Sequence, residues 1–178
     1  MGKGEVVITV GDIALESTDA IVNATDAWLS RGGALTAAIH QVAGPRLFAA
    51  CKAIIKARPA GKLEKGEAVV TPGFLLRARH VIHCAGPIYR DDPGSAPDQL
   101  SACIRNALRL CRELKLRSIA FPAIGTGAYR YPLKDAALVS LSAVQSDLLA
   151  HPVPILVKVV LFTPKVFHVF AHVAERRL

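Results

Sequence analysis

The chain has 178 residues, 52% of them hydrophobic and 13 of them Gly, with a formal net charge of +8. That length suits a single domain over residues 1–178 that buries roughly two-thirds of its unfolded surface, and the positive field favours polyanionic ligands such as nucleotides, phosphates or nucleic acid. No apolar run approaches the ~20 residues that cross a bilayer, since the longest candidate, VPILVKVVLF, is short and carries Lys158, and the amino terminus MGKGEVVITV lacks the apolar core of a signal peptide. Val6 also stands where a myristoylation motif needs Ser or Thr. A cytosolic chain with no membrane partner is expected.

In chain order, short apolar runs alternate with segments of helical period. EVVITV (5–10) and DAIV (19–22) read as strands, and Ala34–Ala43 and Pro45–Ala57 as helices. GEAVVT (66–71) and RHVIHCA (79–85) read as strands joined through the turn TPGF and the polar link RARH, and GPIYRDDPGSAP (86–97) is the longest loop. Asp98 to Leu114 repeats apolar residues at helical intervals, SIAFPAI (118–124) is a buried strand, and Lys134–Leu149 is a helix. PILVKVVLF (154–162) is a strand with little polar relief, and Lys165–Arg177 closes the chain as a helix. Strands without polar alternation need helices on both faces, so the expected fold is a three-layer α/β/α sandwich.

Cys51, Cys84, Cys103 and Cys111 have no CxxC spacing and read as buried structural thiols. His83 and Cys84 are neighbours in a strand, so their side chains point to opposite faces and cannot form a dyad. His168 and His172 lie one helical turn apart, but no third metal ligand is evident.

In such sheets ligands sit beyond the carboxyl ends of strands, and three joints there can carry chemistry. In VGDIAL, Asp12 either caps a turn or accepts a hydrogen bond from an exocyclic amine while the Ile13 amide donates to the adjacent ring nitrogen of adenine. In VNATDAWLSRGGALTAAIH, Asn23 reads as a residue tying loop backbone, and Gly32 and Gly33 form either a plain turn or, with the following helix start, an anion cradle. In PAIGTGAYRYP, Gly125 and Gly127 flank Thr126 so that backbone amides can surround a phosphate. Neither the Rossmann fingerprint nor the Walker pattern is present.

The ordered set GDI, DAIVNATDAWLSRGGALTAAIHQVAG, GEAVVTPGFLLRARHVIHCAGP, SIAFPAIGTGAYRYP and VVLFTPKVFHVF closely resembles the macro domain, the ADP-ribose-binding module, from about Glu5 to about Val173. The resemblance implies a mixed central sheet, with Asp12 and Ile13 reading the adenine edge and Phe162 stacking on the ring. It implies a first phosphate loop of Gly32, Gly33, Ala34 and Leu35, and a second of Gly125, Thr126, Gly127, Ala128 and Tyr129, with Tyr129 near the distal ribose. No metal and no cofactor are expected. Where the family usually reads Asn-Ala-Ala-Asn, this chain has Asn23, Ala24, Thr25 and Asp26. Asp26 thus takes the place of an Asn that contacts the distal ribose and is implicated in hydrolysis, and Thr36 takes that of an Asp important in one hydrolase branch. Arg31 and Ala34 replace residues that are often His or Gly.

Two classes of function follow. One is an ADP-ribose or mono-ADP-ribosylated-protein binder, or a hydrolase of mono-ADP-ribosyl esters with Asp26 as its candidate catalytic group. The other is a basic protein that binds RNA or poly(ADP-ribose) without catalysis, against which stand the 6% aromatic content and the lack of an RNA-binding motif.

Overall fold

The computed structural model describes residues 4–154 and 156–176. Met1 to Lys3, Ile155 and Arg177, on which parts of the predicted amino-terminal reading, sixth strand and last helix fall, lie outside the described residues. The elements run β1 (Glu5–Val10), β2 (Ala20–Thr25), α1 (Ala34–Ala43), α2 (Pro45–Ala57), β3 (Ala68–Pro72), β4 (His80–Ala85), α3 (Ala96–Glu113), β5 (Ser118–Phe121), α4 (Leu133–Ala150), β6 (Leu156–Leu161) and α5 (Pro164–Glu175), with a 3-10 turn at Ile13–Leu15.

The sheet order is β1-β6-β5-β2-β4-β3. Every neighbouring pair is parallel except β3 with β4, so the sheet is mixed, as expected. Side chains alternate across it. Ile21, Val81, Ala85, Ala120 and Val160 face one side and pack with Ile39, Ala43, Leu47 and Cys51 of α1 and α2. Val22, Ile82, Cys84, Ile119, Phe121 and Val157 face the other and pack with Leu100, Ile104 and Leu108 of α3 and with Ala136 and Val144 of α4. Val159 and Leu161 meet Phe170 and Val173 of α5 on that same side. Both faces are covered, and each large apolar side chain so buried contributes about 1.5–3 kcal/mol. Lys158, the one charge inside β6, reaches Glu16 at 2.6 Å. No helix among the described residues is long and apolar enough to cross a membrane.

Most element ends lie within one or two residues of the sequence reading, and three that differ have clear local reasons. β5 stops at Phe121 because Pro122 has no amide for the ladder. β3 begins at Ala68, after Gly66, whose φ of +86° lies outside the strand region. β2 continues to Thr25, pairing with β4 at every position from Ala20, because its polar Asn23 is satisfied sideways. Asn23 Nδ2 donates to His83 Nδ1 at 3.2 Å, and Thr36 Oγ1 donates to Asn23 Oδ1 at 3.0 Å. Asn23 therefore ties α1 to β4 rather than tying loop backbone.

All four cysteines are buried and unpaired, and burial pushes the thiols of Cys51 and Cys111 up to about 11 and about 12. His83 and Cys84 do face opposite layers, but His83 has another thiol beside it, with Cys51 Sγ 3.8 Å from Nε2. Burial holds His83 down at about 3, so that contact joins a neutral imidazole to a neutral thiol.

Candidate functional site

β2 and β5 pair only at Ala20↔Ile119 and Ile21↔Ala120 and then part. Beyond that point β2 leads into α1 on one face of the sheet and β5 leads into α4 on the other, which makes this part of the carboxyl edge a topological switch point, where such sheets take their ligands. The predicted residues follow β1, β6, β5 and β2, four consecutive strands of the sheet. At about 4.8 Å per strand the three intervals span about 14 Å.

At the β1 end, Asp12 caps the 3-10 turn, Oδ1 accepting from the Ala14 amide at 2.9 Å. The turn reading of Asp12 is therefore realised, and its second oxygen makes no bond to another described residue. Ile13 buries its side chain under α1. Phe162, directly after β6, is 80% exposed, so its ring lies free at the same edge.

The loop after β2 is held by one carboxylate. Asp26 Oδ1 accepts from the amides of Trp28 and Ser30, both at 3.0 Å, and Oδ2 accepts from the Ser30 hydroxyl. This ties Leu29, at φ +53°, into a tight turn with its side chain buried. Gly33 then adopts φ +87° as the residue before α1, and no side chain caps the helix. The first-turn amides of α1 have no acceptor among the described residues and carry the positive end of the helix dipole. Gly32, Gly33 and Ala34 are exposed, Leu35 is half-buried, and Thr36 is buried on Asn23. The Arg31 guanidinium lies 4.2 Å from the centre of the Phe48 ring, toward α2.

The loop after β5 is held by its own backbone. Gly125, at φ +79°, accepts from the Tyr131 amide at 3.0 Å, and Gly127 accepts from the Arg130 amide at 3.0 Å. Thr126 Oγ1 donates to Ala123 O at 2.8 Å, so its hydroxyl braces the loop. The amides of Gly127, Ala128 and Tyr129 donate to no acceptor among the described residues. A Cβ on Gly127 would meet nothing within 4 Å. Tyr129 is half-buried, and burial, followed by the Asp26 carboxylate, raises its phenol above the ordinary tyrosine value.

Sequence reasoning missed Lys65, whose ammonium lies 3.3 Å from Gly86 O and 5.4 Å from the Tyr129 ring centre. Its signal is topological: β3 runs antiparallel, so the residues just before it arrive at the edge where the other strands end. The arrangement thus combines two sets of unpaired amides, an exposed aromatic ring, two carboxylates and an ammonium, which can hold an extended anion with a ring at one end.

The Macro domain family model matches residues 22–140. An O-acetyl-ADP-ribose deacetylase of Salmonella typhimurium is 43% identical over 144 residues, which are 81% of this chain and 79% of that protein. The Oceanobacillus iheyensis macrodomain solved with ADP superposes with a TM-score of 0.93 at 38% identity, covering 98% of this chain and 92% of that one. The Trypanosoma brucei macrodomain in complex with ADP-ribose superposes with a TM-score of 0.86 at 31% identity, over 95% of this chain and 68% of that one.

Proposed function

The chain belongs to the macro domain family, and from that premise we propose that the carboxyl edge of its sheet binds ADP-ribose, free or carried as a single unit on a modified protein. The observation that carries the reading is the pair of amide sets flanking the gap where β2 and β5 part. Each supplies N–H donors in fixed directions to phosphate oxygens, the first strengthened by the helix dipole. Gly32, Gly33, Ala34 and Leu35 take one phosphate, and Gly125, Thr126, Gly127, Ala128 and Tyr129 the other. Asp12 accepts from the exocyclic amine of adenine while the Ile13 amide donates to the ring, and Phe162 stacks on its face. Solved macrodomains that hold ADP and ADP-ribose support the ligand class.

Relatives named as deacetylases extend the proposal to hydrolysis of esters on the distal ribose, at a slow rate in this chain. A general base needs a free lone pair within reach of a water. Three of the roughly four acceptor sites of the Asp26 carboxylate are taken by the Trp28 amide and by the Ser30 amide and hydroxyl, and Thr36 is buried with its proton on Asn23. Binding is therefore the principal activity, with Asp26 shaping the loop beside the ribose. Calorimetry with ADP-ribose and with an oligonucleotide, at low and moderate salt, tests the ligand. Saturable ADP-ribose binding that persists at moderate salt is expected, whereas oligonucleotide binding that dominates and collapses with salt would favour the nucleic-acid alternative. Release of ADP-ribose from a mono-ADP-ribosylated acidic protein tests catalysis. Rapid release by the wild type that is lost in Asp26→Asn would make Asp26 the base.

A further inference from the structure

Lys65 precedes Gly66 in the link between α2 and β3. The Gly66 amide donates to Ala85 O at 2.9 Å, which pins this link against the end of β4. Gly86, whose carbonyl lies 3.3 Å from the Lys65 ammonium, donates its own amide to Thr25 O at 3.3 Å, next to Asp26. The Tyr129 ring of the second loop covers the ammonium from another side at 5.4 Å. Lys65 Nζ therefore sits where the ends of β4 and β2 and the second amide loop converge.

The side chain is half-buried, yet no carboxylate lies within ion-pair distance of it among the described residues. Comparably covered cations elsewhere are paired: Arg58 with Glu67 at 2.5 Å and Lys158 with Glu16 at 2.6 Å. Burial lowers the Lys65 pKa against the opposing pull of Asp26 and Asp91. An ammonium has three donors, and its one hydrogen-bond acceptor among the described residues is the Gly86 carbonyl. Partly desolvating a cation without a paired anion is unfavourable, and such groups concentrate at functional sites, where a ligand completes the set.

Strand order indicates what that ligand group is. A nucleotide entering with its base at Asp12 and Phe162 passes the edge in the order β1, β6, β5, β2 and reaches β4 and Lys65 last. Its far end is then the second sugar. We propose that Lys65 is a specificity-determining residue that donates charge-assisted hydrogen bonds to oxygens of the distal ribose, including an acyl carbonyl esterified there, and so separates ADP-ribose from ADP.

The inference rests on the ADP-ribose reading above, and calorimetric titration with both ligands distinguishes the two. Lys65→Met is expected to weaken ADP-ribose binding about tenfold, the loss of one charge-assisted bond, while ADP affinity stays within about a factor of two and Lys65→Arg loses less than Lys65→Met. If Lys65 acted only through its field on the diphosphate, the more highly charged ADP would lose at least as much as ADP-ribose. That result, or a Lys65→Met protein with unchanged ADP-ribose affinity, overturns the assignment and leaves the binding reading intact. A Lys65→Met protein of lowered melting temperature that loses both ligands equally overturns it as well. A wild type that does not bind ADP-ribose overturns both proposals.

Discussion

The two glycine-bearing loops present the same chemistry, unpaired amides at the carboxyl edge, by opposite constructions. The loop after β2 is organised by a side chain, with Asp26 gathering Trp28 and Ser30, and it delivers the uncapped start of α1. The loop after β5 is organised mainly by backbone, through the Arg130 and Tyr131 amides, with one brace from the Thr126 hydroxyl, and a Cβ at its tip, Gly127, would meet nothing within 4 Å. The contrast separates two kinds of sensitivity. If the loops hold the ligand as proposed, a side chain added at the second loop's tip should obstruct the ligand alone, whereas a side chain removed from the first loop should loosen both the loop and whatever it holds.

The sharpest test of that contrast is Gly127→Glu. Nothing within 4 Å opposes the new Cβ, so the melting temperature should be unchanged. A carboxylate about 5 Å from the diphosphate at an effective dielectric near 20 opposes it by about 3 kcal/mol, and the expected loss of ADP-ribose affinity in calorimetry is about a hundredfold. Loss of stability without loss of affinity would reverse the roles assigned to the loops.

Asp26→Ala should act on both properties. Removing an acceptor shared by two amides and a hydroxyl should cost about 2 kcal/mol in urea unfolding and lower ADP-ribose affinity in parallel. Asp26→Asn keeps the oxygen that accepts from Trp28 and Ser30, and should retain most of the stability. If the alanine variant is as stable as the wild type, the loop does not depend on its carboxylate.

Asp12→Ala should weaken ADP-ribose about tenfold, by unpairing the exocyclic amine, and should cost about 1 kcal/mol of stability through the lost cap on Ala14. Phe162→Ala should give the smallest combined effect. The ring is 80% exposed, so no stability change is expected, and affinity should fall by about 1 kcal/mol or somewhat more from lost stacking. A dissociation constant unchanged in Phe162→Ala would remove that residue from the site.

Much of the fold was legible along the chain. The bounds of α1 and α2 coincide with the helical periods read at Ala34–Ala43 and Pro45–Ala57, because an amphipathic stripe bounded by glycine, or by Pro45 at a helix start, is a local property. The site was legible in part. Gly32, Gly33, Gly125 and Gly127 could be singled out from their place between a strand and a helix, and the positive φ of Gly33 and Gly125 is the conformation that favours glycine there. The engagement of Asp26 could not be read, since an Asp after a strand fits a ligand contact and a loop tie equally well. The three groups that Asp26 gathers became evident only once the loop had closed.

What the sequence determined by itself is the succession of strands and helices, the coverage of both sheet faces and the places of the two glycine-bearing loops, because periodicity and backbone freedom act over a few residues. The tertiary structure alone decided the order β1-β6-β5-β2-β4-β3, the partnership of Asn23 with His83 across 60 residues of sequence, and the place of Lys65. These depend on which strands lie side by side and in which direction. A single antiparallel strand carried the residues before it to the edge where the other strands end, and with them a cation that neither spacing nor composition marks out.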